Sequence, residues 1–363
     1  MAQNLVGLEL PFPSRISLLA DRVEDGVRVW ADDRQLVCSE AARHHLAQTG
    51  IGYLAARCFA GAELGRLALI GQWLTLIIRL DDQFDDGPLR RQPQQVDEVA
   101  GELEGILRAA PGQAPAPRSP VADALIDLWG RTAELMSPAW RRRFVRDFSR
   151  WLDSLRGEVA TRAERGHPEE SAHHVARRDA GGIQNVLDLI ELAAHCEVPP
   201  SFEAGATYRH LRDLAADVVQ WTNDLVSLEK ELARDDVHNA VILARHHRGL
   251  SLDAAVDEVV VNLGAAVAAF VAAEDGLDAA MDAARLARDD RLRVHAAVDG
   301  MGLLMRGHLD WAAGNPRYGE VERVGYDGVP EHLDVILHVA HLPHHPPPEY
   351  AHLAAGDVTG GRA

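Results

Sequence analysis

Cysteine is scarce in this chain: Cys38, Cys58 and Cys196 stand far apart, and no CxxC pair occurs. An odd, scattered set excludes a disulfide framework and points to free thiols in a reducing compartment. Aromatic residues make up only 5%. Positive charge is short as well, with 37 Lys and Arg against 55 Asp and Glu, a net charge of −18, and no dense basic stripe. That argues against nucleic acid as a partner, because phosphate-backbone affinity rests on clustered basic side chains. Long apolar runs are missing too. The most apolar, Leu67 to Leu80, contains Gln72 and Arg79 and reads as a buried core helix, so no membrane span is expected. The opening MAQNLVGLELPFPSRIS has no basic region followed by a long apolar stretch, so no signal peptide is expected. These absences together place the protein in the cytoplasm.

What remains is a soluble composition, 47% apolar and 25% charged over 363 residues, enough for one large domain with a deep interior or for two ordinary ones. Ala, Leu and Arg dominate, and runs of β-branched residues with period-two alternation are rare. Apolar positions recur at helical spacing, as at Leu125, Leu128, Trp129 and Thr132. The expected fold class is therefore all-α, with roughly ten or more helices and no sheet. PGQAPAPRSP (111–120) and EVPPS (197–201) read as loops, and Ser137-Pro138 as a helix start. No internal repeat or domain seam is visible, which predicts one domain over residues 1–340. From about Leu342 the chain turns Pro-, His- and Gly-rich, so 341–363 is expected to be a disordered tail. Its histidines lack a fixed ligand spacing and read as solvated rather than metal-binding.

Chemistry concentrates in two places. Asp81-Asp82-Gln83-Phe84-Asp85-Asp86 ends the apolar helix. Four carboxylates so close repel one another, and burying them without a counter-charge is costly. A helix sets Asp81 and Asp85 on one face and Asp82 and Asp86 on the next. Oxygen-only ligands in this arrangement suit Mg²⁺, held by few carboxylates together with phosphate oxygens. An EF-hand fits poorly, because its sixth loop position would be Asp86 rather than Gly. The second place is Asn223-Asp224-Leu225-Val226-Ser227-Leu228-Glu229-Lys230-Glu231. Asn223, Ser227 and Glu231, spaced four and four, form one helical stripe of oxygen donors. Lys230 falls near it and can reach a phosphate as a point charge. An exposed polar face would explain Glu229, Lys230 and Glu231, but not Asn223 and Ser227.

The pair DDxxD and NDxxSxxxE resembles the signature of the class I terpene synthases, particularly the bacterial ones. The resemblance extends through VSLEKELARDDVHNAVIL (226–243) to HLDWAAGNPRY (308–318), and covers about residues 10 to 320. It implies a helical barrel whose mouth binds three Mg²⁺ ions and a prenyl diphosphate substrate. Asp81 with Asp85 or Asp86 would be metal ligands on one wall, and Asn223, Ser227 and Glu231 on the other. Lys230, Arg317 and the Tyr318 hydroxyl would bind the diphosphate. The family also carries an arginine four residues before a glycine, on a helix that kinks beneath the substrate. Both Arg177/Gly181 and Arg178/Gly182 have that spacing; the family pattern favours Arg177 as diphosphate sensor, with backbone near Gly181 directed at the developing cation. Two glycines inside a helix would cost roughly 1 kcal/mol each relative to Ala. A homodimer is left open.

The implied reaction is metal-assisted ionisation of the diphosphate, followed by steering of the carbocation inside an apolar wall. Phe59, Trp73, Phe84 and Trp311 are candidate aromatic faces; no dedicated general base stands out, and the diphosphate itself could take the final proton. Relatives commonly carry aromatic bulk before the aspartates, where this chain reads WLTLIIRLDD, with Leu76, Ile77 and Ile78. A C15 diphosphate, farnesyl, is the first expectation and a C20 diphosphate, geranylgeranyl, the second. The alternatives are a chain-elongating prenyl diphosphate synthase, against which Asp235-Asp236-Val237-His238-Asn239 lacks a closing aspartate, and a non-catalytic helical binding protein.

Overall fold

The computed structural model describes residues 8–110, 113–318 and 329–337, and these contain helices, turns and no β-strand. In chain order the helices are α1 (Ala20–Asp33), α2 (Glu40–Thr49), α3 (Ile51–Cys58), α4 (Leu64–Asp85), α5 (Pro93–Arg108), α6 (Pro120–Leu135), α7 (Pro138–Glu164) and α8 (Glu170–Arg177). They continue as α9 (Ile183–Ala193), α10 (Pro200–Glu203), α11 (Ala206–Ala233), α12 (Ala240–Arg248), α13 (Leu252–Asp275), α14 (Leu277–Ala283) and α15 (Arg288–Ala312). Ser119, Ser137, Asn239 and Ser251 cap α6, α7, α12 and α13, each side chain accepting from a first-turn N–H. Such caps satisfy donors that no helical carbonyl reaches. The helix start expected at Ser137-Pro138 is one of them.

The apolar faces close into a barrel. α3 packs on α4, α4 on α9, α9 on α11, α11 on α15, and α15 returns to α3. One hydrophobic core runs through this ring from Leu10 to Leu337, each fully buried large side chain stabilising it by about 1.5–3 kcal/mol. At one seam backbones meet directly. A Cβ on Gly307 of α15 would stand 2.7 Å from the backbone of Arg57 and Cys58 in α3, so glycine is what allows that approach. The helix long and apolar enough to cross a membrane by length and composition is α13 rather than the 67–80 run. Its Val259, Leu263, Ala266, Val267 and Phe270 are buried, and it packs on α11.

Residues 329–337 return to the outside of the aspartate-bearing end of α4. Asp334 accepts from the backbone N–H of Cys38 and Ser39 at 2.5 and 3.0 Å, and its carbonyl accepts from Gln83 Nε2 at 2.9 Å. Val121 N–H donates to the Ile336 carbonyl at 3.4 Å. The boundary expected at 340 and the tail beyond it lie outside the described residues.

Candidate active site

The barrel holds an open-mouthed cavity of about 160 Å³. On α4 the inward stripe is Leu74, Ile77, Ile78, Asp81 and Asp85, the three-and-four spacing of one helical face. Leu76 falls outside that stripe and is fully buried in the core; the aliphatic positions that face the cavity are 74, 77 and 78. Each aspartate meets a different environment. Asp82 takes both outer nitrogens of Arg317 at 3.2 and 2.6 Å. Asp85 accepts from Arg162 at 2.6 Å. Asp86 holds Lys230 at 2.6 Å and Arg234 at 3.0 Å. Among the described residues Asp81 has no hydrogen-bond or ion-pair partner, and burial, with Asp85 and Glu158 nearby, pushes its carboxyl well above the usual range. Burial would raise Asp82 too, but Arg317 overrides it and holds that carboxyl well below.

The facing wall is the C-terminal half of α11. Asn223, Ser227, Lys230 and Glu231 line the same cavity. Asn223 Nδ2 donates to the Tyr318 hydroxyl at 3.1 Å, leaving its carbonyl oxygen toward Arg177 at 3.5 Å. Ser227 Oγ donates to the Asn223 backbone carbonyl at 2.7 Å. Glu231 accepts from Asn239 Nδ2 at 2.6 Å, and burial, reinforced by Asp224, raises its carboxyl to about 8.

Between α8 and α9 the chain makes a short 3-10 turn, Ala180–Gly182, where Gly181 and Gly182 take φ of +59° and +65°. The two glycines therefore separate two helices instead of sitting inside one, and the helix-interior cost expected from the sequence does not apply. Left-handed backbone is what glycine permits and β-carbons resist. Gln220 Nε2 fixes the turn by donating to the Ala180 carbonyl at 2.6 Å. Arg177 and Gly181 line the cavity; Arg178 and Gly182 do not. Arg177 reaches Asp224 at 2.7 Å, whereas Arg178 turns away and forks onto Asp217 at 2.7 and 2.8 Å.

Below the mouth the lining is Leu54, Cys58, Leu74, Ile77, Ile78, Ile183, Val186, Val219, Leu304, His308 and Trp311. Of the aromatic candidates only Trp311 is there, edge-on to Tyr318 with ring centroids 5.9 Å apart. Phe59, Trp73 and Phe84 are buried off the cavity. Trp73 packs against Phe144 and donates to Thr132 at 2.8 Å. Helical periodicity marks these residues as buried without saying on which side of the helix the cavity lies.

Among the described residues, no three Asp, Glu, His or Cys side chains converge tightly enough to chelate an ion unaided. The oxygen donors are instead split between two walls. That split fits hard cations completed by phosphate oxygens, and unpartnered Asp81 together with the raised Glu231 marks where positive charge would relieve a buried carboxylate. Several mouth residues carried no readable signal. Glu158 and Arg162 come from α7, and Arg162 bridges Asp85, Glu158 and Asp236. Asp236 and His238, weighed in the sequence only for the aspartate they lack, line the cavity. Their neighbour Asn239 holds Glu231 and the Asp224 carbonyl.

Comparison with known proteins agrees with this geometry. The family profile described as terpene synthase family 2, C-terminal metal binding, matches residues 72–268. A pentalenene synthase of Streptomyces avermitilis is 32% identical over 92% of this chain and 99% of its own. A 7-epi-alpha-eudesmol synthase of Streptomyces viridochromogenes, named as cyclising (2E,6E)-farnesyl diphosphate, is 28% identical over 86% of this chain and 92% of its own. The crystal structure of germacradien-4-ol synthase from Streptomyces citricolor superimposes with a TM-score of 0.75 at 28% identity, over 85% of this chain and 98% of that one. An all-α barrel with oxygen donors on two walls of its mouth, matched across nearly its full length by such relatives, belongs to the bacterial class I terpene synthases: this chain is a terpene cyclase, a lyase acting on prenyl diphosphates.

Proposed function

We propose that the protein is a Mg²⁺-dependent cyclase of farnesyl diphosphate, with three ions held between Asp81 and Asp85 or Asp86 on one wall and Asn223, Ser227 and Glu231 on the other. The observation that carries this reading is the facing of two oxygen-donor walls across the mouth of one apolar cavity. The substrate length is supported by the relative named for cyclising farnesyl diphosphate. When bound, the ions would draw off negative charge as the carbon–oxygen bond breaks.

The chain's own residues do the rest. Arg177, Lys230, Arg317 and the Tyr318 hydroxyl donate to the diphosphate. Lys230 and Arg317 already stand at the mouth, held ready by Asp86 and Asp82. Burial disfavours the charge of Arg177 and Lys230, but adjacent carboxylates outweigh it and keep both protonated far above neutral pH. The aliphatic chamber then folds the cation and excludes water, and Trp311 offers a π face. Geranylgeranyl and geranyl diphosphates are the competitors. Offered C10, C15 and C20 diphosphates with Mg²⁺, the enzyme is expected to release inorganic diphosphate fastest from the C15 substrate and yield a cyclic C15 product by gas chromatography. Full turnover in excess chelator, or preference for the C20 substrate, contradicts the proposal.

A further inference from the structure

The chamber below the mouth has a polar spot on α15. Leu304, His308 and Trp311 line it in turn, with His308 one turn deeper than Trp311 and their ring centroids 6.0 Å apart. Neither ring nitrogen of His308 has a hydrogen-bond partner among the described residues. Nδ1 is fully buried, which leaves Nε2 as the nitrogen open to the chamber. Burial lowers the imidazole to about 4, so the ring is neutral at ordinary pH and keeps a lone pair.

The other polar groups at this depth are occupied or non-basic. Burial pushes the Cys58 thiol far up, and its S–H faces the Leu304 carbonyl at 3.6 Å. Gln220 is an amide committed to the glycine turn. Asp81, Glu231 and Tyr318 sit at the mouth, where metal and diphosphate engage them in the reading above. A C–H bond beside a carbocation is so acidic that even a weak base removes its proton. What decides which proton leaves is placement within hydrogen-bond reach.

Resting on the cyclase reading, we propose that His308 is the proton acceptor that ends the reaction. Its Nε2 lone pair takes a proton from a carbon next to the final cationic centre. The electron pair of that C–H bond becomes the second bond of the product alkene, and the imidazolium passes its proton to the released diphosphate or to solvent as product leaves.

The test uses the full chain with farnesyl diphosphate and Mg²⁺, reading released diphosphate and product distribution together. His308→Ala should keep diphosphate release within about threefold of the parent, because ionisation belongs to the mouth, while the parent's principal alkene loses about tenfold in share. Added imidazole should restore that alkene. Thiophene, a ring of similar size without a basic nitrogen, should not. Restoration by both rings, or an unchanged product pattern, assigns the position to cavity shape and overturns the proposal. So does a parent product that is an alcohol formed by water capture. Should the alanine variant fail to fold, His308→Phe keeps a ring and removes the base. The same loss of the parent alkene is then expected, and an unchanged share is contrary. A parent enzyme that releases no diphosphate fails the cyclase reading itself, a result distinct from either of these.

Discussion

Two buried networks of arginines and carboxylates lie on α11, about 20 Å apart along its axis. Near Arg212, Asp188 accepts from Arg143 at 2.8 Å and from Arg212 at 2.7 Å, Arg143 also reaches Glu191 at 2.7 Å, and Arg212 reaches Asp147 at 3.2 Å. None of these residues lines the central cavity. At the mouth, Asp82, Asp85, Asp86 and Asp224 are paired just as closely, yet Asp81 has no partner among the described residues. Both networks contain a carboxylic acid raised by burial, Glu191 to about 7 and Glu231 to about 8. A perturbed carboxyl group therefore does not by itself mark a site. The difference is the space each faces: Asp147 and Arg212 border a separate polar surface pocket, while the mouth presents oxygen lone pairs to the central cavity, whose deeper wall is apolar.

The largest test of that contrast is Glu231→Gln. Turnover should fall about 10³-fold, the scale of removing a preorganised electrostatic group, with the thermal midpoint nearly unchanged. Normal catalysis would make the α11 stripe no different from the Arg212 network. The mirror experiment is Asp188→Asn. Breaking these buried pairs strips each of two arginines of one carboxylate partner and should cost about 3 kcal/mol or more in chemical denaturation, with kcat per folded molecule retained. Arg177→Lys comes next. An ammonium replaces a guanidinium fork poorly, so a loss of about 10²-fold is expected, while Arg178→Lys, half-buried beside Asp217 and off the cavity, should stay within about twofold. If only the Arg178 variant loses activity, the sensor moves by one residue.

The last effect concerns pH. Burial raises Glu191 in the folded state from 4.5 to about 7, so its protonated form favours folding. That contribution is full below about 4.5 and lost as pH rises through about 7. Glu191→Gln should therefore flatten the fall in stability across this window, by up to about 3 kcal/mol. An unaltered slope would show that Arg143 keeps Glu191 ionised throughout.

The mouth was legible in the sequence because its oxygen donors repeat at helical spacing: Asp81 with Asp85, and Asn223 with Ser227 and Glu231, each set on one helix. Arg177 was legible through its glycine. The Arg212 network was not. Arg143, Asp147, Asp188, Glu191 and Arg212 come from three helices, and each looks like an ordinary surface charge until those helices are packed. For the same reason Glu158 and Arg162 escaped notice, being an i,i+4 pair of a kind that arginine-rich helices carry everywhere. Periodicity also gave the helices correctly while leaving the inward register open. Leu76 and Ile77 are equally apolar, and only the closed ring decides that Ile77 faces the chamber and Leu76 the core.

The segment around Asp334 has a consequence for recognising intact copies of this enzyme. It holds Gln83, the residue in the middle of the aspartate cluster, and it lies beyond Tyr318, the last of the residues by which the sequence was read. A gene fragment cut after Tyr318 would retain every diagnostic position and score as complete. It would nevertheless have lost the acceptors that Cys38, Ser39 and Gln83 use behind the aspartate-bearing end of α4, so a catalogue built on motifs alone would not see the missing brace.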